Sequence, residues 1–127
     1  MPIIYKNDKY NNELSFFHIN TFDEGNYFII DVFVNSDNFS GRHSFSLNKK
    51  NICDFINFVQ NNWNIEYAQF SLVDSESDSN ICFLNKNHGH VVCYGILGGD
   101  SAINSLRFSF FTDQTCYSNL KNFFSLL

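Results

Sequence analysis

The sequence predicts an α+β fold built from two antiparallel β-sheets with two α-helices. Three observations carry this. Several short segments alternate apolar and polar residues, as half-buried strands do. Two other stretches place apolar residues at helical spacing. The order of these elements then recurs along the chain. The 127 residues fit one domain. Sixteen Phe and an aromatic content of 18% supply ample apolar surface for a core.

The elements can be justified in chain order. Residues 16–22 read as a strand. Asp23-Glu24-Gly25-Asn26 follows as a hairpin linker, with Gly at a positive-φ position. In 28–34, Phe28, Ile30, Val32 and Val34 share one face. Asn35-Ser36-Asp37-Asn38 is a turn. In 40–47, His43, Phe45 and Leu47 face one way and Arg42, Ser44 and Ser46 the other. The period then changes. Ile52, Phe55, Ile56, Val59 and Trp63 lie on one helical face, and Asn48 is placed to cap the first turn. Alternation returns at Ala68, Phe70 and Leu72, followed by a polar, acidic loop at 74–80. Residues 81–84 and 91–96 read as paired strands joined by Asn85-Lys86-Asn87-His88-Gly89-His90, where Gly89 supplies a positive φ. Leu97-Gly98-Gly99-Asp100 breaks the pattern. Leu106, Phe108 and Phe110 alternate with Arg107 and Ser109. A second helix presents Cys116, Tyr117, Leu120, Phe123, Phe124 and Leu127 on one broad face, with Thr112 or Asp113 as its cap.

Halves 1–64 and 65–127 repeat this order. A shift of 65 positions lays Arg42-His43-Ser44-Phe45 on Arg107-Phe108-Ser109-Phe110. The same shift lays Ile52, Phe55, Phe58 and Val59 on Tyr117, Leu120, Phe123 and Phe124. Identities are few; the agreement lies in period and order. Neither half buries enough surface to stand alone at roughly 60 residues, so the two are expected to share one aromatic core. Edge strands left by two sheets can pair between copies, which allows a homodimer.

Composition narrows the function. Net charge is −5, which opposes direct nucleic-acid binding through phosphates and suits a basic protein partner. A single-stranded nucleic-acid-binding module is the alternative reading, resting on aromatic stacking platforms. Such a site needs a cationic groove, whereas Arg42 and Arg107 are the only arginines and most Phe fall on inward positions. No apolar run approaches the roughly 20 residues of a membrane span. The start, MPIIYKNDKYNNEL, lacks a basic region followed by a long apolar one. Cys53, Cys82, Cys93 and Cys116 include no CxxC pair and sit in apolar segments, as buried free thiols do. A reduced, cytoplasmic protein without a membrane partner is expected.

Catalytic and metal motifs are weak. His88, His90 and Cys93 lack the further ligands zinc needs, so no metal or other cofactor is expected. No nucleophile elbow surrounds a Ser or Cys. Leu97-Gly98-Gly99-Asp100 lacks the Lys and spacing of a phosphate loop. His43 reads as a satisfied core histidine. The distinctive feature is acidity between strands: Asp23-Glu24, Asp37, Asp74-Ser75-Glu76-Ser77-Asp78 and Asp100. Asp74, Glu76 and Asp78, with Asp23, Glu24 and Asp100 outside them, are the candidate contacts to a cationic partner.

The C-terminal part resembles the WapI-type family of immunity proteins. The resemblance is carried by His88-Gly89-His90-Val91-Val92-Cys93-Tyr94-Gly95, by Leu106-Arg107-Phe108-Ser109-Phe110-Phe111-Thr112-Asp113-Gln114-Thr115, and by the short closing helix. It covers roughly the last 80 residues; the first 40 diverge. Cys116 and Tyr117 depart from the usual apolar helix opening. Asp113 and Gln114 are read as structural, because an acidic residue favours a helix N-terminus. The resemblance implies a cytoplasmic immunity protein of a contact-dependent growth inhibition system, with no chemistry of its own. Its partner would be a cognate toxin C-terminal domain, commonly a nuclease that cuts tRNA or other RNA.

Overall fold

The computed structural model describes residues 3–98 and 105–127. Four strands form the first sheet in the order β1 (Ile3–Asn7), β2 (Asn12–Phe22), β3 (Tyr27–Ser36) and β4 (Phe39–Asn48), and α1 (Lys49–Asn62) follows directly. The second sheet repeats the plan with β5 (Gln69–Val73), β6 (Asn80–Asn85), β7 (His90–Gly98) and β8 (Ser105–Asp113), followed by α2 (Thr115–Ser125). All neighbouring strands are antiparallel. The α+β class and the repeated strands-then-helix arrangement are as the sequence predicts.

Each strand turns its alternate apolar residues inward. Phe28, Ile30, Val32 and Val34 of β3 are buried, as are Val91, Cys93 and Leu97 of β7. β4 packs on β5 and β7, and β3 on β8, so the two inner faces meet. The helices cross between halves: α1 packs on β5, the first strand of the second half, and α2 packs on β1, the first strand of the first half. Each also binds the backbone of the edge strand it covers. Asn51 Oδ1 of α1 accepts from Val73 N at 3.5 Å, and Asn119 Nδ2 of α2 donates to Ile4 O at 2.8 Å. Unpaired strand edges invite association, and here each half blunts one edge of the other.

Phe55 is the hub of the shared core. It is fully buried, with ring centroids of Phe70 at 5.3 Å, Phe83 and Phe124 at 5.7 Å, and Phe58 and Tyr117 at 6.4 Å. Phe16 of the first sheet closes the cluster against Phe123, edge to face at 5.7 Å. One close approach between strands needs glycine: a Cβ on Gly95 would lie 2.1 Å from Asn80 O. Gly41 marks where the sheets touch, since a Cβ there would lie 2.7 Å from Leu106 Cδ2 and push that side chain aside.

Some details differ from expectation. β1 carries little pattern, since Ile4 is its one buried residue. Trp63 ends α1 at the surface rather than extending its buried face. Asn48 caps α1 through Oδ1 to Asn51 N at 2.7 Å, as predicted. At α2, Gln114 holds the cap position without a side-chain bond, and Asp113 Oδ1 instead accepts from Thr115 N at 2.9 Å. Thr112 turns away from this role and donates to Val91 O. Cys53 is exposed, which corrects its expected burial, and all four cysteines are free. Cys82 pairs in register with Tyr94 and Cys93 with Phe83, so these two thiols lie on opposite faces of the sheet.

Candidate functional site

Two acidic segments flank the junction between β4 and α1. The first is the β2–β3 turn, where Asp23, Glu24 and Gly25 adopt φ of 54°, 55° and 88°. Asn26 O accepts from Lys49 N at 2.8 Å, which seats the turn against the first residue of α1. The second is the β5–β6 loop. Ser75 N donates to Ser46 O at 2.9 Å, laying this loop along the free edge of β4. Asp23, Glu24, Glu76 and Asp78 are all exposed. The fold therefore anchors two acidic segments, about 50 residues apart in sequence, on either side of one junction. Lys49 and Lys50 stand between the two segments, and Lys50 is paired with Asp54 at 2.9 Å. Asp100 lies outside the described residues.

Asp74 requires a correction: it is not part of this exposed set. It is 4% exposed and works inside the molecule. Oδ1 accepts from Ser46 N at 2.8 Å and from Glu76 N at 3.2 Å, while Oδ2 accepts from Ser77 Oγ at 2.6 Å. Burial pushes this carboxyl up, but the bonds from Ser77, Ser46 and Glu76, with His43 beside them, outweigh burial and hold it below the ordinary carboxylate range. Asp74 thus fastens the loop to β4 and positions Glu76 and Asp78.

His43, Ser77 and Asp74 come together without forming a nucleophilic triad. His43 Nε2 lies 3.4 Å from both Asp74 Oδ2 and Ser77 Oγ. A triad uses the two ring nitrogens for its two partners, so that the histidine relays between acid and nucleophile. Here one nitrogen faces both, and the serine hydroxyl donates directly to the carboxylate. The arrangement holds a loop. His43 is half-buried, at 25% side-chain exposure, and lies edge-on to Phe45.

Other candidate groups are also structural. Burial pushes up the thiols of Cys93 and Cys116, the latter to about 12, which keeps both protonated and poorly nucleophilic. Among the described residues, no three His, Cys, Asp or Glu side chains gather in a group able to hold a metal. His88 (φ 59°) and Gly89 (φ 75°) shape the β6–β7 turn. Among the described residues, no helix is long and apolar enough to cross a membrane.

Two buried polar residues were missed in the sequence. Asp31 lies on β3 opposite Ser44. It accepts from the Ser44 hydroxyl and from Arg42 Nε at 3.1 Å and a terminal guanidinium nitrogen at 2.5 Å. The Ser44 bond and the Arg42 charge outweigh burial and lower its pKa. A lone acid in an apolar strand, two residues from a hairpin reach of Arg42, was the available signal. Asn85 caps the end of α1: its Nδ2 donates to the carbonyls of Asn62, Trp63 and Ile65, and its Oδ1 accepts from Tyr117 Oη at 2.6 Å.

Comparison of the chain with protein-family models, with curated proteins and with solved structures finds no match. The functional reading therefore rests on the residues and their arrangement.

Proposed function

We propose that this chain is an immunity protein. It binds the toxic C-terminal domain of a secreted protein of a contact-dependent growth inhibition system, a basic nuclease, and neutralises it by stoichiometric occupancy in the cytoplasm. The observation that carries this reading is the assembly of Asp23, Glu24, Glu76 and Asp78, all exposed, around the β4–α1 junction. Together they form an acidic end suited to a cationic cleft that normally holds a phosphate backbone. Complementary charge of this kind speeds encounter and disfavours wrong partners. Asp74 serves the same end indirectly, by holding the Glu76–Asp78 loop in place.

The test is co-production with the toxin domain encoded beside this chain. Cells should grow normally, and the purified pair should form an equimolar complex. Reversing Asp23, Glu24, Glu76 and Asp78 to Lys should slow association at low salt and remove most of its salt dependence. Growth arrest despite a well-expressed, folded chain overturns the reading. Unchanged association by the reversed variant moves the interface away from this end.

A further inference from the structure

β8 is the last strand of the second sheet, and among the described residues no strand lies on its outer side. The phase of the ladder shows which backbone groups point away from β7. Lys86 N donates to His90 O at 2.8 Å, so His90 turns its backbone toward β6. By alternation, Val91, Cys93 and Gly95 turn theirs toward β8. Their register partners Thr112, Phe110 and Phe108 complete that ladder. Arg107, Ser109, Phe111 and Asp113 are left with N–H and C=O aimed outward. Ser109 O agrees with this phase: it accepts from Ser36 Oγ of the first sheet at 3.5 Å, a long bond that a pairing strand would replace. Their side chains are exposed on the outer face of the sheet, Phe111 at 67%.

Apart from the Ser36 contact the edge carries no backbone partner among the described residues, and it has room beside it. β8 pairs with β7 without a bulge and contains no proline. A groove of about 960 Å³ runs along it, walled by Tyr5, Tyr10, Asp37, Phe110 and Phe111. Its turns lie at the end of the first sheet opposite the Asp23–Asn26 turn, because successive hairpins alternate ends.

We propose that β8 pairs antiparallel with the β8 of a second copy, joining two second-half sheets into one symmetric dimer. The strand is self-complementary about Phe110. Centring the pair there places Phe110 opposite Phe110, Ser109 opposite Phe111, and Arg107 opposite Asp113, all on matching faces. Every outward residue from 107 to 113 then has a backbone partner. Arg107, which forms no ion pair among the described residues, meets a carboxylate, and symmetry makes this contact twice. The two Phe111 rings become diagonal neighbours across the dyad, within reach of one another. Moving the register by two residues sets Arg107 opposite Phe111 or Thr115 and loses both ion pairs. This register therefore has a reason to be preferred. The inference does not depend on the proposed inhibitory function, and it leaves the acidic end of each copy open.

Sedimentation of the wild-type chain at about 100 μM and low salt should give a dimer. Arg107→Asp and Asp113→Arg should each weaken dimerisation by about tenfold or more, because each sets like charges opposite one another twice. Mixing the two variants should restore a heterodimer, in which both ion pairs re-form. Circular dichroism checks that each variant is folded. Since Asp113 also bonds Thr115 N, Ser109→Pro is a second probe that removes an outward N–H while sparing the β7 ladder; it should also yield monomer. A wild-type monomer overturns the proposal, whether or not the edge captures another protein's strand. So do single variants that dimerise as the wild type does, or a mixture that stays monomeric.

Discussion

The two halves share an interior and differ at their edges. At positions related by the shift of 65, Phe45 and Phe110, Ile52 and Tyr117, Phe55 and Leu120, Phe58 and Phe123, and Val59 and Phe124 are all buried. The outer positions tell another story. Arg42 is held by Asp31, which lies opposite Ser44; opposite Ser109, the counterpart of Ser44, β7 carries Tyr94, so the corresponding carboxylate is missing beside Arg107. Ser46 is 4% exposed because the β5–β6 loop closes its edge; its counterpart Phe111 is 67% exposed. One core filled from both halves restrains the inward residues jointly. The outward ones are free to differ: the β4 edge is closed from within by the β5–β6 loop, whereas the outer face of β8 keeps Phe111 exposed.

The largest effect should come from the shared interior. Phe55→Ala removes a ring that joins α1 to aromatics of the second sheet and of α2, and should cost about 3–5 kcal/mol. Leu120→Ala, at the related position, should cost less, about 2–3 kcal/mol. Denaturant unfolding checks both. A similar cost for the two would show that the hub is not centred on Phe55. Two separate transitions in either variant would break the view of one core.

The next effect tests the closed edge. Asp74→Ala leaves Ser46 N and Ser77 without their acceptor in a buried site and should cost about 2–3 kcal/mol. The same carboxyl sets a pH dependence. Asp74 and Asp31 have folded pKa values below their unfolded ones. Each therefore stabilises the fold above its unfolded value, and that contribution is lost as pH falls through the folded value. The midpoint of thermal unfolding should drop as pH is lowered from about 5 to 3, and the drop should be shallower in Asp74→Ala. An equal slope in variant and wild type would sink this assignment.

The contrast between edges also marks where sequence reading succeeds. Buried faces are legible because period is written in the residues that face the core, as in Phe28, Ile30, Val32 and Val34, or Ile52, Phe55 and Val59. β1 is not, because one buried residue makes no period, and its place depends on Asn119, over 100 residues away. Composition does not separate Asp74 from Glu76 and Asp78. What separates them is Ser46, supplied by another strand. A local clue existed: an Asp accepting from the N–H two residues on forms an Asx turn, a structural habit of that side chain. The acidic end was legible as composition, but its assembly at the β4–α1 junction required the packing of two loops that only the fold brings together.

The smallest effect compares how the two helices begin. Asn48 stands at the cap of α1 with extended backbone, φ −84° and ψ 158°, and its side chain satisfies a first-turn N–H directly. Asn48→Ala should cost about 1 kcal/mol. At α2 the duty falls to Asp113, one residue earlier and exposed, while Gln114 in the cap position has helical dihedrals and sends its amide to Trp63 O at 3.3 Å. Solvent can replace an exposed acceptor, so Asp113→Ala should cost only about 0.5 kcal/mol, part of it the lost attraction between a carboxylate and the positive helix end. That electrostatic part should fade in high salt, whereas the Asn48 contribution, a neutral amide bond, should not. Paired urea titrations of the two variants at low and high salt measure the difference. Equal costs with equal salt response would mean that the halves cap their helices alike, contrary to the geometry at Asn48 and Gln114.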